Sequence, residues 1–208
     1  MTGLVQALLA SLTRRPLLSQ HAQGDPLWYV RWVDLRAAEF VTSIRTPPLT
    51  EAMTSMTGLG SVTAGVVLVG LFHLAGWREE FRTSVVALSI LGIVVWGLMS
   101  VVERPFPSNP VCVTEGSSGT TSSFPSGHAA AVTAYAMVAR TSEELLFAAT
   151  TALAALIAFS RIYLGTHYLS DTVVGIGLGM VSVVIAEQIL DRTDIDALLD
   201  RLPFGSDR

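Results

Sequence analysis

The run from Val85 to Val102 contains no charged side chain, and an apolar stretch of that length reads as a helix crossing a bilayer. Val62 to Trp77 forms a second apolar run, separated from the first by the charged turn Arg78-Glu79-Glu80-Phe81-Arg82. The two read as a helical hairpin. Gly127 to Val138, Leu145 to Ile162 and Thr172 to Ile189 supply three more apolar helices, the first pair joined around Arg140-Thr141-Ser142-Glu143-Glu144. The expected fold is an all-α polytopic transmembrane helix bundle of about five spans. Composition agrees: half of the 208 residues are hydrophobic, 14% are charged, and the mean hydropathy is +0.53, too apolar for an ordinary soluble domain.

Other segments organise themselves around these spans. Met1 to Thr13 carries Leu4, Leu8, Leu9 and Leu12 at helical spacing, with Arg14-Arg15 after it rather than before. That charge order is the reverse of a secretory signal, so an interfacial helix is expected. Ser19 to Pro26 has the composition of a loop. Val33, Ala37, Phe40, Val41 and Ile44 then form the stripe of an amphipathic helix, with Asp34, Arg36, Glu39 and Arg45 placed off it. Pro47-Pro48 breaks this helix. A short helix through Leu49, Met53 and Met56 follows, ended by Gly58 and Gly60; packing is the favoured role of these methionines. Glu103 to Ser123 is a Pro-, Gly- and Ser-rich loop. Residues 1-58 are thus read as N-terminal interfacial and amphipathic helices, 59-190 as the transmembrane domain, and 191-208 as a polar tail. Gly175 and Gly179 make a small-xxx-small pair suited to close helix packing.

The charge pattern excludes some partners. A formal net charge of -4 argues against nucleic acid. All 13 basic residues are Arg, and Cys112 is the single cysteine, so no intrachain disulfide can form.

If each apolar run crosses once, one membrane face collects the end of the second span, the start of the third, the end of the fourth and the start of the fifth. These ends carry Arg104, His128, Arg161, His167 and Asp171, polar groups that are costly beside apolar segments and mark function there. Ser126-Gly127, opening a helix after Pro125, would aim free backbone N–H groups at an anion. Two arginines would add forked donors matched to phosphate oxygens. His167 and Asp171 are four apart, so on a continuous helical turn the carboxylate would orient the ring and leave its second nitrogen as a nucleophile. His128 would act opposite as general acid, then as base for water. Such two-step covalent chemistry needs no metal or other cofactor, and the histidines lack the clustered carboxylates of a metal site.

Arg104-Pro105, Pro125-Ser126-Gly127-His128 and Ser160-Arg161-x5-His167-x3-Asp171 resemble, in order and spacing, the three signature motifs of the type 2 phosphatidic acid phosphatase (PAP2) superfamily. The likeness runs from about Leu59 to Ile189. It implies that Arg104 and Arg161 bind phosphate with the Ser126 and Gly127 backbone, that His128 is the acid/base, that His167 becomes phosphorylated and that Asp171 orients it. It also implies a multi-pass cell-membrane protein, with six spans common in the family, whose site faces away from the cytoplasm. The expected activity is hydrolysis of a lipid phosphomonoester or isoprenoid pyrophosphate, with the bilayer and the lipid phosphate as partners. A phosphotransferase of the same fold and a catalytically silent lipid-binding protein are the alternatives.

One position departs from the family pattern. The Lys that usually stands seven residues before the motif arginine is Gly97 here, leaving Arg45 or another arginine to substitute. A charge-assisted phosphate contact contributes about 1.5 to 3 kcal/mol, so its loss would slow turnover by roughly one to two decades. Near the site, Glu103 is expected to partner Arg104, and Tyr163 and Tyr168 to anchor the membrane interface.

Overall fold

The structure, a computed structural model, describes residues 26–108, 110–111 and 122–193. The interfacial helix expected over Met1 to Thr13, most of the loop after it, the surroundings of Cys112 and most of the polar tail lie outside the described residues. Among the described residues there are seven α-helices and no strand. They are α1 Trp28–Ser43, α2 Pro47–Thr57, α3 Val62–Ala75, α4 Arg78–Val101, α5 Gly127–Ala139, α6 Phe147–Tyr163 and α7 Leu169–Arg192.

Helix boundaries follow local chemistry. Pro47 opens α2 at the position where a missing N–H costs nothing. A single 3-10 turn, Gly58–Gly60, and Ser61 then bend the chain by 56° into α3, where the Ser61 side chain caps the Ala64 N–H. The charged stretch expected to be the α3–α4 turn is instead the first turn of α4. Gly76, at φ 80°, makes the reversal, and the Gly76 and Trp77 N–H groups bond back to His73 and Phe72. With the turn already made, Glu79 and Glu80 sit at the positive end of α4, where the helix dipole favours them.

Helix α5 is the centre of the bundle. Nine of its residues are buried, among them Ala129, Ala130, Val132, Ala134 and Val138, and a helix apolar on all sides belongs inside other helices. It packs on α4, α6 and α7. The α5–α7 contact is set by glycine: a Cβ at Gly175 would lie 2.5 Å from the Ser126 carbonyl oxygen, and one at Gly179 would collide with the Ala130 carbonyl. Gly177, on another face, meets nothing within 4 Å. The small-residue pair therefore does pack helices.

Among the described residues two helices, α4 and α7, are long and apolar enough to cross a membrane, and the bent pair of α2 and α3 would make a third. α6 is a shorter apolar helix. Val62, Leu74, Ile93, Val101 and Leu146 are each more than 70% exposed, a surface that suits lipid better than water. Helices α1 and α2 lie against α6, with α1 also touching α7. This places the N-terminal segment over the helix ends that carry the motif residues.

Candidate active site

The loop after α6 is built by a glycine cap. Gly165 adopts φ 70°, its N–H bonds to Ile162 and the Thr166 N–H to Arg161, the double bond pattern that ends a helix in a left-handed residue. His167 follows at once, its own N–H on the Arg161 carbonyl at 3.3 Å. The arginine and the histidine of one motif are thereby fixed relative to each other by backbone alone.

Ser122 and Ser123 sew the other two motifs together. The Ser123 N–H donates to the Arg104 carbonyl at 2.8 Å, and Ser122 Oγ accepts from the Arg104 and Phe124 N–H groups. Both serines are fully buried. Ser126 caps α5 by accepting from the Ala129 N–H, while its own N–H reaches the Asp171 carbonyl at 3.1 Å. The first turn of α5, with Gly127 and His128, is left facing the site. Gly60 makes room for His128: a Cβ there would lie 3.0 Å from the ring carbon Cδ2.

His167 is 5% exposed, and its Nδ1 lies 2.6 Å from the Ser123 carbonyl oxygen. A carbonyl can only accept, so Nδ1 carries the proton and Nε2 holds the lone pair. Burial first, then the Arg161 charge, pushes the ring's pKa down to about 3. It is a neutral imidazole at physiological pH. This differs from the expected His167–Asp171 hydrogen bond. Helix α7 begins at Leu169, and Tyr168 is extended (φ -76°, ψ 165°), so residues 167 and 171 do not share a continuous helical turn and the four-residue spacing does not stack them. Ser123 takes the orienting role instead.

Asp171, fully buried, uses one oxygen for the Tyr168 N–H at 2.8 Å and the other for Arg104 Nη1. Arg104 Nη2 lies 2.5 Å from Asp34 Oδ2, and Nη1 donates to Ser170 Oγ at 2.7 Å. Glu103, the expected partner of Arg104, is exposed. The buried carboxylates displace it because a salt bridge away from water holds an arginine more firmly than a solvated neighbour can. Asp34 is the residue sequence reasoning missed. It was placed on the polar side of α1, yet it is seven residues before buried Val41, two helical turns along the same face, and that register was the available signal.

Arg161 donates to Thr57 Oγ1 at 2.8 Å, which ties α6 to the end of α2. Its charge acts on both His128 and His167. The structure thus brings all seven predicted residues, Arg104, Ser126, Gly127, His128, Arg161, His167 and Asp171, to one set of helix ends. Tyr163 is not an interface anchor. Tyr163 is fully buried, its hydroxyl bonded to the Thr46 N–H and Thr50 Oγ1, because the α1–α2 corner closes over it. The Tyr168 ring lies under Arg104, 4.3 Å from the guanidinium carbon. Arg45, the candidate substitute for the missing Lys, donates to the Tyr163 carbonyl at 2.9 Å. A Cβ at Gly97 would meet nothing within 4 Å.

Comparison with known proteins gives a consistent result. Residues 100–194 match the family described as the PAP2 superfamily. Decaprenylphosphoryl-5-phosphoribose phosphatase of Mycobacterium tuberculosis is 28% identical over 124 residues, 60% of this chain and 69% of that protein. The crystal structure of Aquifex aeolicus LpxE superposes with a TM-score of 0.67 at 25% identity, covering 74% of this chain and 94% of the other. The Bacillus subtilis PAP2-type phosphatidylglycerolphosphate phosphatase gives the same TM-score at 21% identity, over 93% of this chain and 98% of its own, a likeness of fold.

Proposed function

We propose that the chain, whose residues 100–194 match the PAP2 superfamily, is a membrane phosphatase of that kind and hydrolyses a lipid phosphomonoester or isoprenoid pyrophosphate through a phosphohistidine at His167. The observation that carries this reading is the His167 ring, buried, neutral and held by the Ser123 carbonyl so that Nε2 is the free nucleophile. Nε2 attacks phosphorus as the bond to the lipid oxygen breaks. His128, charged by a proton taken up together with the anionic substrate, gives that proton to the leaving alcohol or phosphate, and the phosphoryl group stays on His167. His128, now neutral, takes a proton from water. The hydroxide attacks phosphorus, the N–P bond breaks, and orthophosphate leaves with His167 restored.

Arg104, Arg161 and the N–H groups at the start of α5 are the proposed cradle for the phosphoryl oxygens, gaining most where charge builds in the transition state. Asp171 acts through Arg104, whose guanidinium it holds, rather than through His167. A lipid substrate fits a site made of helix ends, because a headgroup phosphate lies at that depth while its chains stay among the apolar flanks. Decaprenylphosphoryl-5-phosphoribose phosphatase acts, by its name, on a lipid-linked phosphate, which supports the same class here.

We place α3, α4, α5, α6 and α7 as five crossings, with the site on the extracytoplasmic face. α5 is only 13 residues, about 20 Å at 1.5 Å per residue. It crosses in the shelter of its neighbours, where it need not match the lipid thickness.

The test is phosphate release by purified, detergent-solubilised protein from phosphatidic acid and an isoprenoid pyrophosphate, in EDTA, beside His167→Ala. Release that survives chelation and disappears in the variant is expected. Equal turnover in the variant would overturn the mechanism.

A further inference from the structure

We propose that Asp34, on a helix outside the matched domain, is a positioning residue for Arg104, clamping the arginine and the first turn of α7 together so that α1 is part of the catalytic unit. The proposal rests on the phosphatase reading above and adds a residue to its site.

The carboxylate is 1% exposed, a burial that is tolerated only with full compensation. It has three partners. Oδ1 accepts from the Ser170 N–H at 2.8 Å, and Oδ2 accepts from Ser170 Oγ at 2.6 Å and from Arg104 Nη2 at 2.5 Å. Ser170 is the second residue of α7, so Asp34 satisfies one of the N–H groups that a helix leaves unbonded at its start, at the end where the dipole favours a negative charge. α7 thereby receives from another helix the anion its own extended N-cap does not supply there.

The other carboxylate oxygen, Oδ2, reaches Arg104. With Nη2 on Asp34 and Nη1 on both Asp171 and Ser170 Oγ, three of the five guanidinium donors are committed, and the Tyr168 ring covers one face. The plane of the guanidinium is fixed from two sides. What it can still offer a phosphoryl group points in one direction. Asp171 alone could not do this, since a single carboxylate on Nη1 leaves the guanidinium free to swing about that contact. Asp34 closes the second corner, and it does so from a chain segment that precedes the matched family domain by more than sixty residues.

The clamp has an electrostatic cost that makes it testable. A second carboxylate beside Arg104 weakens the pull of the site on any anion. Removing its charge should tighten phosphate binding even as it spoils the position of the arginine, whereas a purely architectural residue would alter the folded fraction and neither constant. In Asp34→Asn, kcat on phosphatidic acid should fall about 10- to 100-fold, the scale of a misplaced catalytic group, while the inhibition constant of orthophosphate becomes smaller. Ser170→Ala, which removes the shared hydroxyl and keeps both charges, should lower kcat without tightening phosphate. Wild-type kcat in Asp34→Asn, or weaker phosphate inhibition, would overturn the proposal. If Asp34→Asn does not fold, unchanged kcat in Ser170→Ala overturns it. Turnover surviving in His167→Ala would remove the nucleophile and leave the Asp34 result to be read from phosphate affinity on its own.

Discussion

At one end of the bundle Arg104 lies between Asp34 and Asp171, whose side chains are 2% and 0% exposed. At the other end Arg140 meets Glu187 at 3.2 Å with 47% and 30% of the two side chains exposed. Both are arginine–carboxylate pairs between residues far apart in the chain. The first is withdrawn from water and enmeshed with backbone N–H groups, so its geometry is set and its charges are felt by neighbours. The second is screened, and its partners keep most of their freedom. Reactive geometry in this protein follows from burial of the pair, and the pair itself is no guide to it.

Arg104→Ala should show the largest contrast. It leaves two buried carboxylates without their cation, which costs about 3 to 5 kcal/mol, and it removes a proposed phosphate donor. Thermal unfolding and phosphate release measured together should both collapse. A stable, active variant would mean the site end is no more coupled than the other.

Gly179→Val comes next, because a Cβ there runs into the Ala130 carbonyl and the Thr133 side chain. Overpacking of this kind costs about 1 to 3 kcal/mol. Gly177→Val, with open space around it, should melt within a degree or two of wild type, and equal losses in the two variants would refute glycine-set α5–α7 packing.

A smaller effect is expected from pH. The His167 pKa in the folded protein, about 3, lies below its ordinary value of 6.5, so between these values the unfolded chain binds a proton that the folded chain refuses. Stability should therefore decline as pH falls from 6.5 toward 3. Melting curves of His167→Gln should show a shallower decline across that window than wild type. Parallel curves would mean the ring is not held neutral.

Arg140→Ala should do least, below about 1 kcal/mol in stability and with turnover unchanged. A loss of activity there would break the distinction between the two ends.

Much of this was legible in the sequence, for identifiable reasons. The apolar runs located α3 to α7 because long continuous apolar stretches favour helices, and the signature residues gathered at one set of helix ends. Gly175 and Gly179 were readable because small residues four apart have one main use between apolar helices. Legibility failed where an outcome depended on a contact between distant segments. Asp34 looked like part of a solvated helix face, and only its register with Val41 hinted otherwise. The His167–Asp171 spacing suggested a helical pair, but the start of α7 is set two residues later by Tyr168, so the ring turned to Ser123. The charged stretch after Trp77 looked like a turn because charge and turn usually coincide, whereas Gly76 alone sufficed to reverse the chain.

The most direct test of the central claim is a rapid-quench experiment with phosphatidic acid labelled with ³²P in its phosphate, using the wild type and His167→Ala. The account predicts a protein-bound label in the wild type that is stable in alkali and lost in acid, as an N–P bond on histidine requires, and none in the variant. Label retained by His167→Ala, or a wild type that turns over with no label at any quench time, would contradict it.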